Sequence, residues 1–438
     1  MTQQLLTMSY ITNQALVVLE NELVIANRVE RQYSNEFART GAKVGNTVNI
    51  RRPPRYIGTY GPPLLVEDTF ETYTPVVLNY QYHVDVQFTT QDLALSMDMF
   101  KKRILKPQIA TVANRIDADS AAYFALNTAT TLGTPGVQPA SYKIFSDARA
   151  YLAMEACPTE GEKCCVLDPI TMSAVTDAMK GLFNPQAKIG EYNDKGMIAK
   201  EWAGLDWWED QNVYVFTTGT NTGTASSFTL YATGGTSALL STGWAASGVL
   251  GVQGFTANSS VCSVGDTFTI AGVYPVNPQN RRQYGRSLKQ FVVLPPGGFG
   301  TPPNGAATTG LYFSPATLTN GSFNSATGVY TSDASGYCSL AVAECVISGG
   351  QFQNVTAAPS PTAAIVFNQS ATNGTVTPQG LVFHKYAYAL AFADLPLPQG
   401  VEMAARAYDD EDVGMSIRMV TQYTINNDSE PSVGHTVH

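Results

Sequence analysis

Residues 60–88 read YGPPLLVEDTFETYTPVVLNYQYHVDVQF, and their pattern constrains the architecture more than any other segment. It opens on Gly-Pro-Pro and then alternates. Tyr80, Tyr82, Val84, Val86 and Phe88 share one face of an extended strand, while His83, Asp85 and Gln87 share the other, because successive strand side chains point to opposite sides. The pattern predicts a long two-stranded ribbon turning near Gly61–Pro63. A free ribbon of that length is marginal in water, so it should lie on something else.

Charge sharpens the point. Residues 1–60 hold seven Lys/Arg and four Glu, whereas residues 61–100 hold six Asp/Glu and no Lys or Arg. Solvated loops would explain this. So would complementarity between copies of the chain, with Arg51, Arg52 and Arg55 meeting Glu67, Asp68 and Glu71 across a subunit boundary.

On the N-terminal side of the ribbon, residues 13–38 place Leu16, Leu19, Leu23, Ala26, Val29, Tyr33 and Phe37 at steps of three or four, one face of an amphipathic helix. That face suits a core, or a neighbouring subunit. On the C-terminal side, residues 90–104 read as a short helix and PQIATVANRIDADSAAYFALN (107–127) as a helix of about 30 Å that Pro107 can open. Residues 141–213 alternate helix and strand: SDARAYLAMEA helical, CCVLDP a buried strand, a helix from Asp168 and Pro169, then a strand–turn–strand carrying Trp202, Trp207 and Trp208. Between 217 and 352 only seven residues are charged: Asp266, Arg281, Arg282, Arg286, Lys289, Asp333 and Glu344. Short Val/Ile/Phe-rich runs separated by Gly-rich turns predict a small β-barrel or sandwich, inserted because a helix/strand mixture resumes near Phe352. MSIRMVTQYTI (415–425) closes the chain as a period-2 strand.

The chain has 438 residues, 14% of them charged, and a net charge of −9. Two or three packed units are expected at this length, and the acidity argues against a nucleic-acid reader. The six cysteines form neither a disulfide framework nor a zinc knuckle, which fits a reducing cytoplasm. No basic leader precedes Arg28, and the uncharged run 211–265 is too rich in Thr, Ser and Gly for a membrane helix.

Catalytic motifs are absent: no HExxH, GxSxG, phosphate loop or dinucleotide fingerprint. The histidines stand at 83, 384, 435 and 438 only. His384 and Lys385, adjacent in LVFHKYAYALAFADLPLP (381–398), would point to opposite faces of a strand and cannot serve one pocket. Asp409, Asp410, Glu411 and Asp412 lack the ligand spacing and glycine of a calcium loop, so a solvated turn is the better reading. No catalytic, cofactor or metal residue is assigned.

Five segments in order, GMIAKEWAGLDWWEDQNV (196–213), VGDTFTIAGVYPVNPQNRRQYGRSLKQFVV (264–293), ISGGQFQNV (347–355), GLVFHKYAYALA (380–391) and GMSIRMVTQYTINND (414–428), resemble the major capsid proteins of short-tailed bacteriophages. The resemblance implies an α+β fold of the Hong Kong 97 tailed-phage type. It implies an N-terminal arm (1–45), an extended loop (46–89), a peripheral domain with a spine helix (90–139), an axial domain (140–215 and 353–398), an inserted β-barrel (216–352) and a return to the peripheral domain with the tail (399–438). It further implies a non-enzymatic subunit that forms pentamers and hexamers in an icosahedral shell around packaged double-stranded DNA, assembled in the bacterial cytoplasm and ending in the virion. The expected partners are further copies, a portal protein and, in some particles, a decoration protein, with no membrane. An inner wall without a basic tail would let DNA slide.

Three departures narrow the expectation. Residues 46–100 contain no lysine, so no isopeptide crosslink is expected from that loop. No long coiled-coil segment precedes the arm, so a separate scaffolding protein is expected. The ending SEPSVGHTVH differs from the family's usual Arg/Asp/Leu/Tyr/Gly-type ending, which leaves the tail's contacts open. A secreted or surface β-rich binding module is the alternative, suggested by the Thr/Ser/Gly-rich middle and its sequons.

Overall fold

The computed structural model describes residues 12–13, 15–19, 22–31, 47–59, 61–62, 66–78, 80–89, 106–179, 203–220, 228–231, 248–285, 287–296, 320–368, 374–393, 397–398, 403–408, 416–421 and 429–436. The chain divides into two compact units. The first takes Met1–Ile50, Tyr73–Ala121 and His384–His438, and the second takes Arg51–Thr72 and Ala122–Phe383.

In the first unit the described part of the amphipathic stripe near the N-terminus is buried as its spacing predicts, and Tyr33 and Phe37 lie outside the described residues. Ala15, Leu16, Leu19, Leu23, Ala26 and Val29 are all buried, and all but Val29 join a cluster with Ile109, Val112, Ala113 and Ile116 of the long helix Lys106–Asn127, with Phe392, Ala407 and Ile417. The helix is shorter than the stripe. It runs no further than residue 22, and Ala26–Arg28 form a 3-10 turn that leads into extended backbone at Val29. Asp117 explains the break. This carboxylate on the long helix is 1% exposed and accepts hydrogen bonds from Val24 N (2.7 Å) and Ala26 N (3.1 Å). A continuing helix would have used those N–H groups for its own carbonyls four residues back. The segment then pairs with residues 388–390: Glu30 N donates to Tyr388 O, and Leu390 N donates to Glu30 O.

The alternation in the opening stretch is also seen, on a different support. His83 and Asp85 are exposed, while Tyr82 and Val84 pack against the first unit's core. Val86–Thr89 is the edge strand of a four-stranded sheet, ordered Met403–Tyr408, Ser416–Thr421, Ser429–Thr436, Val86–Thr89 and antiparallel throughout. The C-terminal tail therefore supplies an inner strand, pairing Ser432 with Val86 and Ser429 with Thr89. The two-stranded ribbon instead joins Thr47–Arg51 to Tyr73–Val77.

In the second unit the helices Tyr142–Met154 and Pro169–Met179 accompany a three-stranded sheet, ordered Leu381–His384, Lys163–Leu167, Asp206–Glu209. Ser141 caps the first helix by accepting from Lys143 N (3.3 Å), and Asp168 accepts from Thr171 N (3.1 Å) at the start of the second. Asp206–Glu209 pairs parallel to Lys163–Leu167 rather than in a hairpin with its own neighbours. The reason is the intervening helix, since parallel strands need a crossover. Trp207, 1% exposed, packs edge-on against Phe145 with ring centroids 4.8 Å apart, beside Cys165, Leu167, Met172 and Val175. Trp202 lies outside the described residues.

From this part the chain leaves and returns through a two-stranded stem, Val215–Thr217 antiparallel to Val376–Pro378, extended by bonds from Thr218 N to Thr375 O and from Gln379 N to Tyr214 O. Beyond the stem lies a six-stranded sheet, ordered Ile365–Phe367, Thr267–Ile270, Gln290–Leu294, Tyr337–Val342, Gly248–Gln253, Thr229–Leu230. Its two ends meet: Thr229 bridges Ala364, Leu230 N donates to Ala363 O (3.0 Å) and Ile365 N donates to Phe228 O (2.8 Å). The order therefore returns on itself, and it takes a strand from beyond residue 352. A second sheet is ordered Ser322–Asn324, Val329–Thr331, Ser260–Ser263. Between them sits a core that includes Leu250, Val252, Phe268, Phe291, Val293, Tyr330, Leu340 and Ile365, each at most 1% exposed.

One buried carboxylate fastens the entry to this block. Asp266, 1% exposed, accepts from Ser263 N (2.7 Å) and from Gly219 N (3.1 Å to Oδ2). The approach is so close that a Cβ on Gly219 would meet Asp266 Oδ2 at 2.6 Å and Cys262 Cα at 2.7 Å.

Candidate functional site

The six charged residues singled out from the sequence lie on the loop between the ribbon strands or at its base. Arg51 and Glu71 face each other at 3.3 Å, with side chains 80% and 55% exposed, and Arg52 N donates to Thr72 O (2.8 Å). Across the loop, the Glu67 carboxylate accepts from Ile57 N (2.7 Å), and the hydroxyls of Tyr56 and Thr69 are 3.2 Å apart. Arg51 and Glu71, read from the sequence as partners between copies, thus also pair within one chain. The outward surface is apolar as well as charged, for Tyr56, Val66, Phe70 and Tyr73 are all more than half exposed.

The loop is held to its own unit by groups the sequence reading did not connect with it. Arg281 Nη2 donates to Tyr56 O (2.7 Å), and Gln351 Nε2 donates to Asp68 O (3.0 Å). The Phe70 ring meets Phe352 edge-on, centroids 5.9 Å apart, and Phe352 belongs to a small cluster with Cys345 and Ile347. Glu344 completes the arrangement. It pairs with Lys289 at 3.0 Å, and Lys289 together with Arg55 and Arg52 pulls its carboxyl below the ordinary range, against the opposing effect of burial. For Lys289, 11% exposed, burial disfavours the charge, but Glu344 and Glu155 outweigh it and the ammonium titrates above its ordinary value. Burial lowers Arg52, and Glu344 opposes that.

A backbone turn aims Arg281. Asn277 Oδ1 accepts from Gln279 N and Asn280 N, Arg281 N donates to Asn277 O, and Arg281 itself adopts φ +54°. The Tyr284 hydroxyl donates to the Glu155 carboxylate, which with burial raises the phenol well above its ordinary value. Tyr151 and Ser287 hydroxyls lie 2.9 Å apart. A signal for this surface was present in the sequence: four of the seven charges between 217 and 352 fall within residues 281–289.

The adjacent His384 and Lys385 do not sit on one continuous strand. The strand ends at His384, which is 3% exposed and caps the turn Lys385–Ala387 by accepting from Tyr386 N at Nδ1 (3.3 Å). Capping is why the expected alternation does not continue past it. Asp409, Asp410, Glu411 and Asp412 lie outside the described residues. Among the described residues no group of three His, Cys, Asp or Glu side chains could hold a metal ion, and no helix is long and apolar enough to cross a membrane. None of the six cysteines is in a disulfide, and burial pushes the Cys338 thiol up to about 12.

Solved structures similar to the chain include one from Mycobacterium phage Che8, at 15% identity over 61% of this chain and 83% of that one, with a TM-score of 0.32. The asymmetric unit of the bacteriophage PhiM1 mature capsid matches at 15% identity over 41% and 61%, TM-score 0.29. The capsid structure of cyanophage P-SCSP1u matches at 12% identity over 74% and 85%, TM-score 0.31. No curated protein matches by sequence. The class is set by the family comparison: this is a phage coat protein of mixed α+β structure with a structural role in the capsid. The family model described as P22 coat protein, gene protein 5, matches residues 2–331, and the chain belongs to that family.

Proposed function

We propose that the chain is the major subunit of an icosahedral shell, assembled as pentamers and hexamers around packaged double-stranded DNA. The family match over residues 2–331 carries this reading. Its fold is of the Hong Kong 97 type, with the helix Lys106–Asn127 as spine and the sheet beyond the stem as an inserted barrel. Rings form because a heterologous contact repeated by a five- or sixfold rotation closes on itself. The extended loop makes those contacts, with Tyr56, Val66 and Tyr73 as apolar anchors and Arg51, Arg52, Arg55, Glu67, Asp68 and Glu71 as a charged rim. Apolar anchors inside a polar rim are the usual anatomy of a protein interface.

Assembly takes place in the host cytoplasm with a separate scaffolding protein and a portal protein, and the product is the virion shell, open to decoration by a further protein. Size exclusion followed by negative-stain imaging tests this. Rings or shells are expected when a scaffolding partner is co-expressed, and a chain that stays a solitary monomer under those conditions would refute it. Uniform shells from purified subunits without a helper would refute the scaffold requirement alone.

A further inference from the structure

We propose that Arg281, Gln351 and Phe352 form a socket that seats the extended loop of the same chain and sets its pose before another copy is met. The inference rests on the shell reading for its purpose, since a preset loop matters only if the loop contacts neighbours. Its geometry stands without that reading. Two turns of the second unit converge on the loop. The turn at 277–284 brings Arg281 to the Tyr56 carbonyl, the turn at 348–353 brings Gln351 to the Asp68 carbonyl, and Phe352 meets the Phe70 ring. The two hydrogen bonds grip opposite limbs of the loop, and the Ile57–Glu67 bond ties those limbs together just beyond them.

Both hydrogen bonds take main-chain carbonyl oxygens. The socket therefore reads the course of the loop backbone and leaves the outward faces of Tyr56, Val66 and Tyr73 for other contacts. Glu344 adds a term without a fixed geometry: its carboxylate lies in the field of Arg52 and Arg55 from the loop while it pairs with Lys289 beneath it. Ordering a loop in advance lowers the entropy lost when it later binds. On this account the surface that seats the loop also controls how readily subunits join.

The test uses two variants of the full chain. In Phe70→Cys/Phe352→Cys, mild oxidation of the monomer should give a disulfide within one chain, read as a mobility shift on non-reducing gels at unchanged mass. Crosslinks found solely between chains, or none, would overturn the socket. In Arg281→Ala/Gln351→Ala, amide exchange in residues 53–71 should rise at least severalfold while the strands Thr267–Ile270 and Gln290–Leu294 keep their protection. Unchanged exchange in the loop would overturn it independently. A within-chain crosslink in a protein that never forms particles would keep the socket and refute the shell reading, whereas particles without that crosslink would do the reverse.

Discussion

The block beyond the stem and the extended loop differ in what holds them. The block has a closed sheet order and a core of side chains almost wholly removed from water, with Phe268 contacting the rings of both Phe291 and Phe367. The loop has exposed apolar side chains and charges that water screens, and among the described residues its ties to its unit include two hydrogen bonds and one ring contact. One region carries its stability in burial. The other keeps its apolar surface on the outside, and its order depends on a few polar contacts. In a coat protein this division is useful, because a firm body can present a loop whose binding surface is still unspent.

Substitutions should break the comparison unequally. The largest effect is expected in the block, where Phe268→Ala should cost about 3–5 kcal/mol in urea or thermal unfolding by removing a fully buried ring. Asp266→Ala comes next, because it leaves the buried N–H groups of Ser263 and Gly219 without their acceptor, at roughly 1–3 kcal/mol for each such group. Gly219→Ala should act at the same point by forcing the backbone away from Asp266.

The stripe at residues 15–29 shows how much was legible beforehand. Every position read as apolar and inward up to Val29 is buried, because helical spacing reports the buried face directly. The break after residue 22 was not legible, since it depends on Asp117, more than ninety positions away. The ribbon shows the same limit. Alternation over 80–86 identified the inward face, but a period of two does not name the partner strand, and Val86–Thr89 pairs with the C-terminal tail. At the candidate site, the concentration of charge at 281–289 was visible, while the convergence of Arg281, Gln351 and Phe352 on the loop follows from tertiary structure.

Smaller effects sharpen the loop side. Glu344→Gln should leave the Lys289 ammonium without its nearest partner and cost about 1 kcal/mol, well below the full penalty of a buried pair because the Glu344 side chain is 52% exposed. The same pair gives a pH signature. Glu344 titrates below its ordinary 4.5 in the folded chain, so its contribution is present above that value and is lost as pH falls through the lowered one. Lys289 titrates above its ordinary 10.5, so its contribution is present below that value and is lost as pH rises through the raised one. The wild-type advantage over Glu344→Gln, measured by unfolding across pH, should therefore be flat between those limits and shrink outside them. The least effect is expected from Arg51→Ala. That pair is exposed on both sides, and its loss should change stability by less than about 0.5 kcal/mol.

Cryo-electron microscopy of the high-mass fraction from cells expressing the chain with a scaffolding partner would decide whether the loop joins subunits into a shell. The account predicts closed shells of five- and sixfold rings, each subunit reaching its neighbour through residues 53–71. Particles in which that loop touches no other copy, or a preparation holding monomers alone at every concentration, would contradict it.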